Sequence, residues 1–191
     1  MYFVIMNRCV WVNPENREYL EYHDTQWWVP VHDDRELFEM LILEWAQAWL
    51  SWETILKKRE WYRKAFDNFD VHKIIQYNDA KIQELLQNPW IVRNKLKIHS
   101  VVKNAKAVIE IQKEYGSFDA YIWNYVWGRP IKNSFQKLSE IPVETELSRA
   151  ISKDLKKRGM SFVGPTIIYA YMQAIGIVND HTVDCFRYEE V

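Results

Sequence analysis

Apolar residues recur every three to four positions along most of the chain, a spacing that places them on one face of an α-helix. At 33–36, four charged residues precede Leu37, Phe38 and Leu41, which is typical of the start of a helix. Similar patterns recur further along, so we predict eight or so helices. The first begins at 33–36, and the others cover 54–66, 70–75, 79–86, 95–115, 118–126, 146–158 and 164–175.

Turn residues divide these predicted helices. Residues 88–90, Asn-Pro-Trp, indicate a turn, and Gly116, Gly159 and Gly176 each follow a helical pattern where a glycine commonly ends a helix. The stretch 128–145 is the most loop-like part of the chain. Strand-type alternation persists nowhere beyond a few residues. The pattern therefore predicts an all-α fold.

Length and charge limit the class of protein. The 191 residues suffice for one large or two small domains with a real core. No run of about 18 uncharged apolar residues occurs, so we expect no membrane span. The apolar start is short and lacks a basic segment, so we expect no signal peptide and a cytoplasmic protein. With 25 basic and 26 acidic residues, a nucleic-acid partner would need a local basic face.

The unusual feature of the composition is ten tryptophans against five glycines. Average glycine usage of about 7% would give about 13 in a chain of this length. Glycine allows positive φ angles and close backbone approach. A chain so poor in glycine is either mostly helical with few tight hairpins, or has other residues where glycines usually stand.

Two cysteines and two histidines at opposite ends of the chain form a candidate metal site. His181 and Cys185 are four positions apart, so a helical turn would place both on one face, and Cys9 and His23 would complete a set that suits tetrahedral Zn²⁺. The thirteen residues between Cys9 and His23 do not match zinc-finger spacing. The alternatives are two ordinary buried thiols or a disulfide, which a reducing cytosol disfavours.

The segment 42–52, ILEWAQAWLSW, places one carboxylate, Glu44, among three tryptophans. On a solvated helix face this glutamate would have no special role. If the helix continues unbroken, Trp45, Trp49 and Trp52 would share one stripe with Leu41, which is typical of a core face. The residues alone leave these interpretations open.

Six segments together resemble the DNA-3-methyladenine glycosylase I family, a branch of the helix-hairpin-helix glycosylases. The similarity runs from about Asn7 to Arg187. Met6 would match the usual start of the family, which makes 1–5 a short extension. The segments are RCVWV (8–12), YLEYHDTQWWVP (19–30), DDRELFEMLILEWAQAWLSWETILKKR (33–59), IVRNKLKI (91–98), SKDLKKRGMSFVGPT (152–166) and YMQAIGIVNDH (171–181).

The resemblance implies a helix-hairpin-helix DNA glycosylase fold in which residues 1–191 form a single functional unit. Two helical lobes would enclose a base pocket between them. It further implies a structural zinc that ties the N-terminus to the C-terminus. The residues that match its ligands are Cys9, His23, His181 and Cys185.

The resemblance also implies an activity. The protein would be a monomeric, monofunctional N-glycosylase that flips 3-methyladenine out of alkylated double-stranded DNA and releases the free base, leaving an abasic site. A further candidate substrate is 3-methylguanine. Glu44 matches the glutamate that contacts the cationic base and is the residue expected to carry the reaction, since the family lacks the usual catalytic aspartate. The expected aromatic walls of the pocket are Trp11, Tyr19, Tyr22 and Trp52.

The expected DNA contacts come from two regions. Residues 89–98 resemble the hairpin whose backbone N–H groups hold phosphate, with Arg93, Lys95 and Lys97 adding charge beside it. Trp49 and Leu50 fall where the family inserts a loop into the duplex, so Trp49 is predicted to act as a stacking wedge. A further basic cluster is either a DNA contact or a solvated helix face. It consists of Lys153, Lys156, Lys157 and Arg158.

Five tryptophans stand where the family typically has glycine or another small residue, which accounts for much of the glycine deficit. Bulky side chains at these positions would fill the pocket, clash with DNA or strain the backbone. The alternative function is therefore a DNA- or base-binding relative that is catalytically weakened or silent. The five positions are Trp28, Trp45, Trp49, Trp90 and Trp127.

Overall fold

The computed structural model of the chain describes residues 6–48 and 50–191, and these are mostly helical. The predicted all-α class is confirmed. The described residues contain ten α-helices: α1 (Arg17–Thr25), α2 (Asp34–Ala46), α3 (Trp52–Leu56), α4 (Arg59–Ala65), α5 (Val71–Ile74), α6 (Asp79–Gln87), α7 (Lys95–Tyr115), α8 (Phe118–Asn124), α9 (Glu146–Lys157) and α10 (Pro165–Ala174). No helix among them is both long and apolar enough to span a bilayer.

Local chemistry sets most of the helix ends. The carboxylate of Asp33 accepts hydrogen bonds from the backbone N–H groups of Arg35 and Glu36, which lack helical partners at the start of α2. Gly116 and Gly159 follow α7 and α9 with φ angles of +89°. Both glycines therefore end helices as predicted, because their positive φ turns the chain out of the helix.

The single helix predicted over 54–66 is wrong, because α3 ends at Leu56 and α4 begins at Arg59. The break turns Arg59 inward, where its guanidinium donates to Glu39 on α2 and to Gln26. A buried ion pair between residues twenty apart is not visible in local periodicity. Helix α1 was also not predicted, because only Tyr22 and His23 of its nine residues are buried.

Helix α2 is the centre of the core. Every residue from Leu37 to Ala46 is buried, and the helix packs against α7, α8 and α10. Asp34 fastens its start by accepting hydrogen bonds from the backbone N–H groups of Phe118 and Asp119 on α8. A helix covered on all sides carries its polar residues into the interior, and this is how Glu44 becomes buried.

The loop-like stretch 128–145 contains the only strand pairing in the described part of the chain. Strand β1 (Ile131–Lys132) runs parallel to β2 (Val178–Asn179), which follows α10. Between α10 and β2 the chain turns at Gly176, whose φ is +76°. A Cβ atom there would lie 2.5 Å from the backbone nitrogen of Pro30, so only glycine allows this approach. The contact brings the segment after α1 against the end of α10.

The tryptophans predicted to stand at glycine positions of the family have different environments. Trp28 and Trp127 have left-handed φ angles of +66° and +56°, whereas Trp45 is helical and 2% exposed in the core. Trp90 is half exposed and stacks on Trp61 at 4.6 Å between ring centroids. Trp49 lies outside the described residues. Since α2 ends at Ala46, Trp45 and Trp52 do not share one continuous helix.

Candidate active site and metal centre

A cavity of about 340 Å³ lies between α1, the end of α2, the start of α3 and α10. This volume falls within the range of roughly 300–1,000 Å³ typical of small-molecule sites. All five residues predicted to contact a base line it. Its walls are Trp11, Tyr19, Tyr22, Trp27, Glu44, Gln47, Trp52, Leu138, Ile141, Pro142, Val143, Thr166, Tyr169, Ala170 and Gln173.

Helical spacing explains how these side chains converge. Tyr19 and Tyr22 lie one turn apart on α1, Glu44 is in the last turn of α2, and Trp52 is the first residue of α3. The side chain of Ser51 caps α3 by accepting from the backbone N–H of Thr54. Helix α10 contributes one face, at positions separated by three, four and seven residues: Thr166, Tyr169, Ala170 and Gln173.

The aromatic rings form an edge-packed wall. The rings of Trp11 and Tyr19 are 5.1 Å apart and tilted by 58°, and Trp11 meets Trp27 at 4.2 Å and 87°. The rings of Tyr22 and Trp52 are 5.4 Å apart with a tilt of 52°. Such edge and tilted contacts hold each ring in place while leaving ring faces available to a planar ligand.

The Glu44 carboxyl is buried, at 7% exposure, without an ion pair or hydrogen bond to any described residue. Burial raises its pKa to about 8, because the ionised form loses hydration and gains no compensating charge. Burial and the nearby Glu44 also raise the pKa of Tyr22, so this phenol stays protonated. The cavity therefore holds a carboxyl group that a cationic ligand or hydrogen-bond donors would stabilise strongly.

Sequence reasoning missed part of this cavity. Trp27 lay inside a quoted family segment without an assigned role, and Tyr169 and Gln173 share the i, i+4 spacing of one α10 face. The i, i+4 spacing of these two residues was a signal in the sequence that could have placed them on one cavity wall. The wall from 138 to 143 had none, because an irregular loop has no periodicity that indicates which side chains turn inward.

The second polar centre lies where the two ends of the chain meet. The side chains of Cys9, His23, His181 and Cys185 are all buried, and one ligand atom of each lies within 4.8 Å of the others. The Nδ1 atom of His181 is 3.3 Å from both sulfurs, and Nε2 of His23 is 3.5 Å from the Cys185 sulfur. The two cysteines are not joined to each other, so the structure does not contain the disulfide that the sequence left open as an alternative.

The chemistry of these four donors fits a metal ion. The pKa of the Cys9 thiol is raised by its hydrogen bond to Cys185 and by burial, because two adjacent thiolates repel without a cation. Burial lowers the pKa of His181, which favours the neutral imidazole that metals bind. Two cysteine sulfurs and two imidazole nitrogens in one buried cluster are a donor set suited to tetrahedral coordination.

Similarity to known proteins identifies the family of this chain. The family model for methyladenine glycosylase matches residues 11–188. The chain belongs to the methyladenine glycosylase family.

Individual members of the methyladenine glycosylase family are similar to this chain along nearly their whole length. DNA-3-methyladenine glycosylase of Haemophilus influenzae is 46% identical over 178 residues, which are 93% of this chain and 96% of the relative. DNA-3-methyladenine glycosylase 1 of Escherichia coli is 44% identical over 183 residues, 96% and 97% of the two chains. A tyrosine-to-phenylalanine variant of 3-methyladenine DNA glycosylase I, solved in complex with 3-methyladenine, is 35% identical with a TM-score of 0.91, covering 95% and 97%.

The residues predicted to contact DNA in this methyladenine glycosylase differ in their exposure to solvent. Arg93 and Lys95 are exposed beside the start of α7, and Leu50 is 42% exposed. Lys97 is instead buried, with its Nζ 5.8 Å from the ring centre of Trp45, because the first turn of α7 faces the end of α2. Burial lowers the Lys97 pKa. The predicted contact of Trp49 lies outside the described residues.

The further basic cluster is smaller than its sequence indicates. Lys153, Lys156 and Lys157 are exposed on α9. Arg158 is instead paired with Asp154 and Glu114 at 2.9 and 2.6 Å. Three lysines therefore remain to face an anionic partner.

Proposed function

We propose that this chain is a monofunctional DNA glycosylase that excises 3-methyladenine from alkylated duplex DNA. The observation that carries the proposal is the buried Glu44 carboxyl, without a partner among the described residues, in a cavity walled by aromatic rings. Two relatives that are DNA-3-methyladenine glycosylases, and a similar glycosylase solved with 3-methyladenine bound, support the substrate. A further candidate substrate is 3-methylguanine, which carries the same alkylation.

The charge of the lesion explains this combination of groups. Adenine methylated at N3 in DNA is a cation, so it restores the ionised state of Glu44 that burial opposes. Each facing ring adds a cation–π attraction of about 0.5–2 kcal/mol. Neutral adenine gains neither the charge interaction with Glu44 nor the cation–π attraction. Recognition of the damaged base therefore rests on Glu44 with the rings of Trp11, Tyr19, Tyr22 and Trp52.

The reaction then needs little from the protein. The bond between C1′ of the sugar and N9 of the base breaks, and its electron pair neutralises the departing cationic base. A water oxygen adds to C1′ and loses its proton to solvent. The Glu44 carboxylate holds the base during this step, and burial strengthens its interaction with developing positive charge. No lysine nucleophile is involved, so the strand stays intact.

The base must leave the duplex to reach the cavity. We place the phosphate contacts at Arg93, Lys95 and the N-terminus of α7, within a helix-hairpin-helix element at 89–98. The first N–H groups of a 21-residue helix favour phosphate there. Leu50, and Trp49 next to it, would occupy the space left by the flipped nucleotide. The burial of Lys97 gives it a supporting position under the start of α7.

We further propose that the four buried donors hold a structural Zn²⁺. An ion there would join the segment before α1 to the segment after α10, beside the cavity wall at Trp11 and Trp27. The ring of Trp11 already lies 5.3 Å from that of His23. In this arrangement the chain is a monomer whose helical lobes are linked at both ends and enclose the base pocket between them.

A catalytically silent relative is the second candidate function, and the half-exposed Trp90 in the hairpin favours it, because an indole there would keep phosphate at a distance. Trp45 does not support it. Its ring packs on Phe162, 5.6 Å away, and does not line the cavity.

Release of free 3-methyladenine from methylated duplex, measured chromatographically, tests the proposed function. We expect release by the unmodified chain and a loss of about 10²–10³ in rate for Glu44→Gln. Glu110→Gln, on an exposed face of α7, is the matched control and retains the rate. Binding to methylated duplex in a gel shift without any release would instead assign the silent function.

A further inference from the structure

A second buried carboxylate lies directly behind the cavity wall. Asp180 is 0% exposed and forms no ion pair with any residue that the structure describes. Its Oδ2 accepts hydrogen bonds from the hydroxyl of Tyr169 and from Nε2 of Gln173, each at 2.7 Å. Its Oδ1 accepts from Nδ2 of Asn133 at 2.6 Å. Tyr169 and Gln173 line the cavity, whereas Asp180 does not.

The direction of these hydrogen bonds decides what the wall offers a ligand. Both oxygens of Asp180 accept in these contacts, so the proton of Tyr169 and one N–H of Gln173 are committed to Asp180. Burial and the bond to Asp180 raise the Tyr169 pKa, so the phenol keeps its proton. The Tyr169 oxygen is then left only as an acceptor, and Gln173 keeps Oε1 as an acceptor beside the second N–H of its amide.

We propose that Asp180 is a positioning residue that leaves the Tyr169 oxygen only as a hydrogen-bond acceptor, so that this wall selects a cationic base. The inference rests on the proposed function and extends its selectivity beyond Glu44. An acceptor wall attracts a cation and the exocyclic N–H groups of adenine. It repels the ring-nitrogen lone pairs of neutral adenine, one of which methylation at N3 removes.

The test compares a cationic lesion with an uncharged copy. Excision kcat/KM is measured on duplex containing 3-methyladenine, and Kd on duplex containing 3-methyl-3-deazaadenine, which has the same shape without the charge. Asp180→Asn introduces a donor into the network, so we expect kcat/KM to fall by about tenfold or more. The Kd for the uncharged duplex should stay within about twofold. A merely structural role would weaken both.

Additional variants keep the test decisive if Asp180→Asn folds poorly. Tyr169→Phe removes the acceptor, and Gln173→Ala removes the amide that shares Asp180 with it. Each should lower kcat/KM by about three- to tenfold while sparing the uncharged duplex. Asp154→Asn is the matched control, since Asp154 also accepts from two tyrosine hydroxyls but lies away from the cavity.

The outcomes separate the two claims. No release of 3-methyladenine by the unmodified chain would contradict the proposed function itself. Release by that chain, together with an unchanged preference for the cation in all three wall variants, would overturn only the role of Asp180. Equal losses on both duplexes would overturn it too.

Discussion

The Nδ1 atom of His23 lies 2.8 Å from Oδ1 of Asp24, which turns the opposite ring nitrogen toward the sulfur of Cys185. The guanidinium of Arg8 holds the same carboxylate from its other side, at 2.7–3.1 Å. Asp24 thereby fixes the tautomer in which Nδ1 carries the proton and Nε2 is free to bind a metal.

This relationship predicts that Asp24→Ala weakens Zn²⁺ binding by about 10- to 100-fold, because the His23 ring loses its orientation and basicity. Competition with a chromophoric chelator measures the affinity. Asp119→Ala is the matched control, since Asp119 contacts Nδ1 of His32 at the same distance, 2.8 Å, but not the cysteines. Equal affinity in the two variants would remove Asp24 from the metal centre.

Glu44 should make the stability of the free protein depend on pH. Its pKa is about 8 in the folded chain and ordinary, about 4.5, in the unfolded chain, so between these values the folded form binds more protons. Stability is then greatest at low pH and falls as pH rises toward 8, by about 1.4 kcal/mol per pH unit from this group.

The measurement is urea unfolding from pH 5 to 9, with Glu44→Gln as the comparison. The glutamine variant should lose this downward slope and equal or exceed the parent in stability at pH 9. Identical slopes in the two proteins would show that the carboxyl is hydrated or paired in solution.

Ligand binding should release a proton from the same group. At pH 7 the free Glu44 carboxyl is largely protonated, whereas a bound cation favours its ionised form. Calorimetric binding of methylated duplex in buffers of different ionisation enthalpy should show release of up to about one proton at pH 7. Binding by Glu44→Gln should show none from this site, so equal proton release in both proteins would count against the assignment.

How much was predictable from sequence depended on the distance between the interacting residues. The start of α2 at Asp33 and the end of α7 at Gly116 follow from local capping, and both were predicted. The break before Arg59 was not, because its cause is a contact with Glu39 on another helix. The wall behind the cavity escaped for the same reason: Asp180 joins Asn133, 47 positions earlier, to α10.

In the candidate site, too, some residues lie where the sequence predicted and others do not. Family resemblance placed Glu44 and four aromatic residues together, and all five do line one cavity. The same resemblance could not show that Lys97 turns inward, where its Nζ lies 5.8 Å from the ring centre of Trp45 and 3.5 Å from the backbone oxygen of Ala46. The packing of Trp45 against its neighbours is a tertiary contact, and local pattern does not reveal which neighbours it meets.

Trp127 allows the backbone strain of a non-glycine residue at positive φ to be measured without disturbing the core. Its φ is +56°, yet its side chain is 87% exposed. Trp127→Gly should therefore stabilise the protein by about 1 kcal/mol, since a non-glycine residue in the left-handed region costs roughly 1–2 kcal/mol. Trp127→Ala is the control, because it removes the indole but keeps the Cβ. Denaturant unfolding that finds alanine equal to glycine would contradict backbone strain as the cause.

Replacement of Trp45 should have the opposite effect on stability. Trp45 is helical, 2% exposed and in contact with the core, so its indole contributes packing and its φ is unstrained. Trp45→Gly should destabilise by about 3–5 kcal/mol through the lost side chain and by about 1 kcal/mol more through glycine in a helix. Trp90→Gly, at a half-exposed turn, should cost less than about 1.5 kcal/mol, mainly the stacking on Trp61. Thermal and urea unfolding of both variants measures the difference. A Trp45→Gly protein as stable as its parent would contradict the contribution of the indole to core packing.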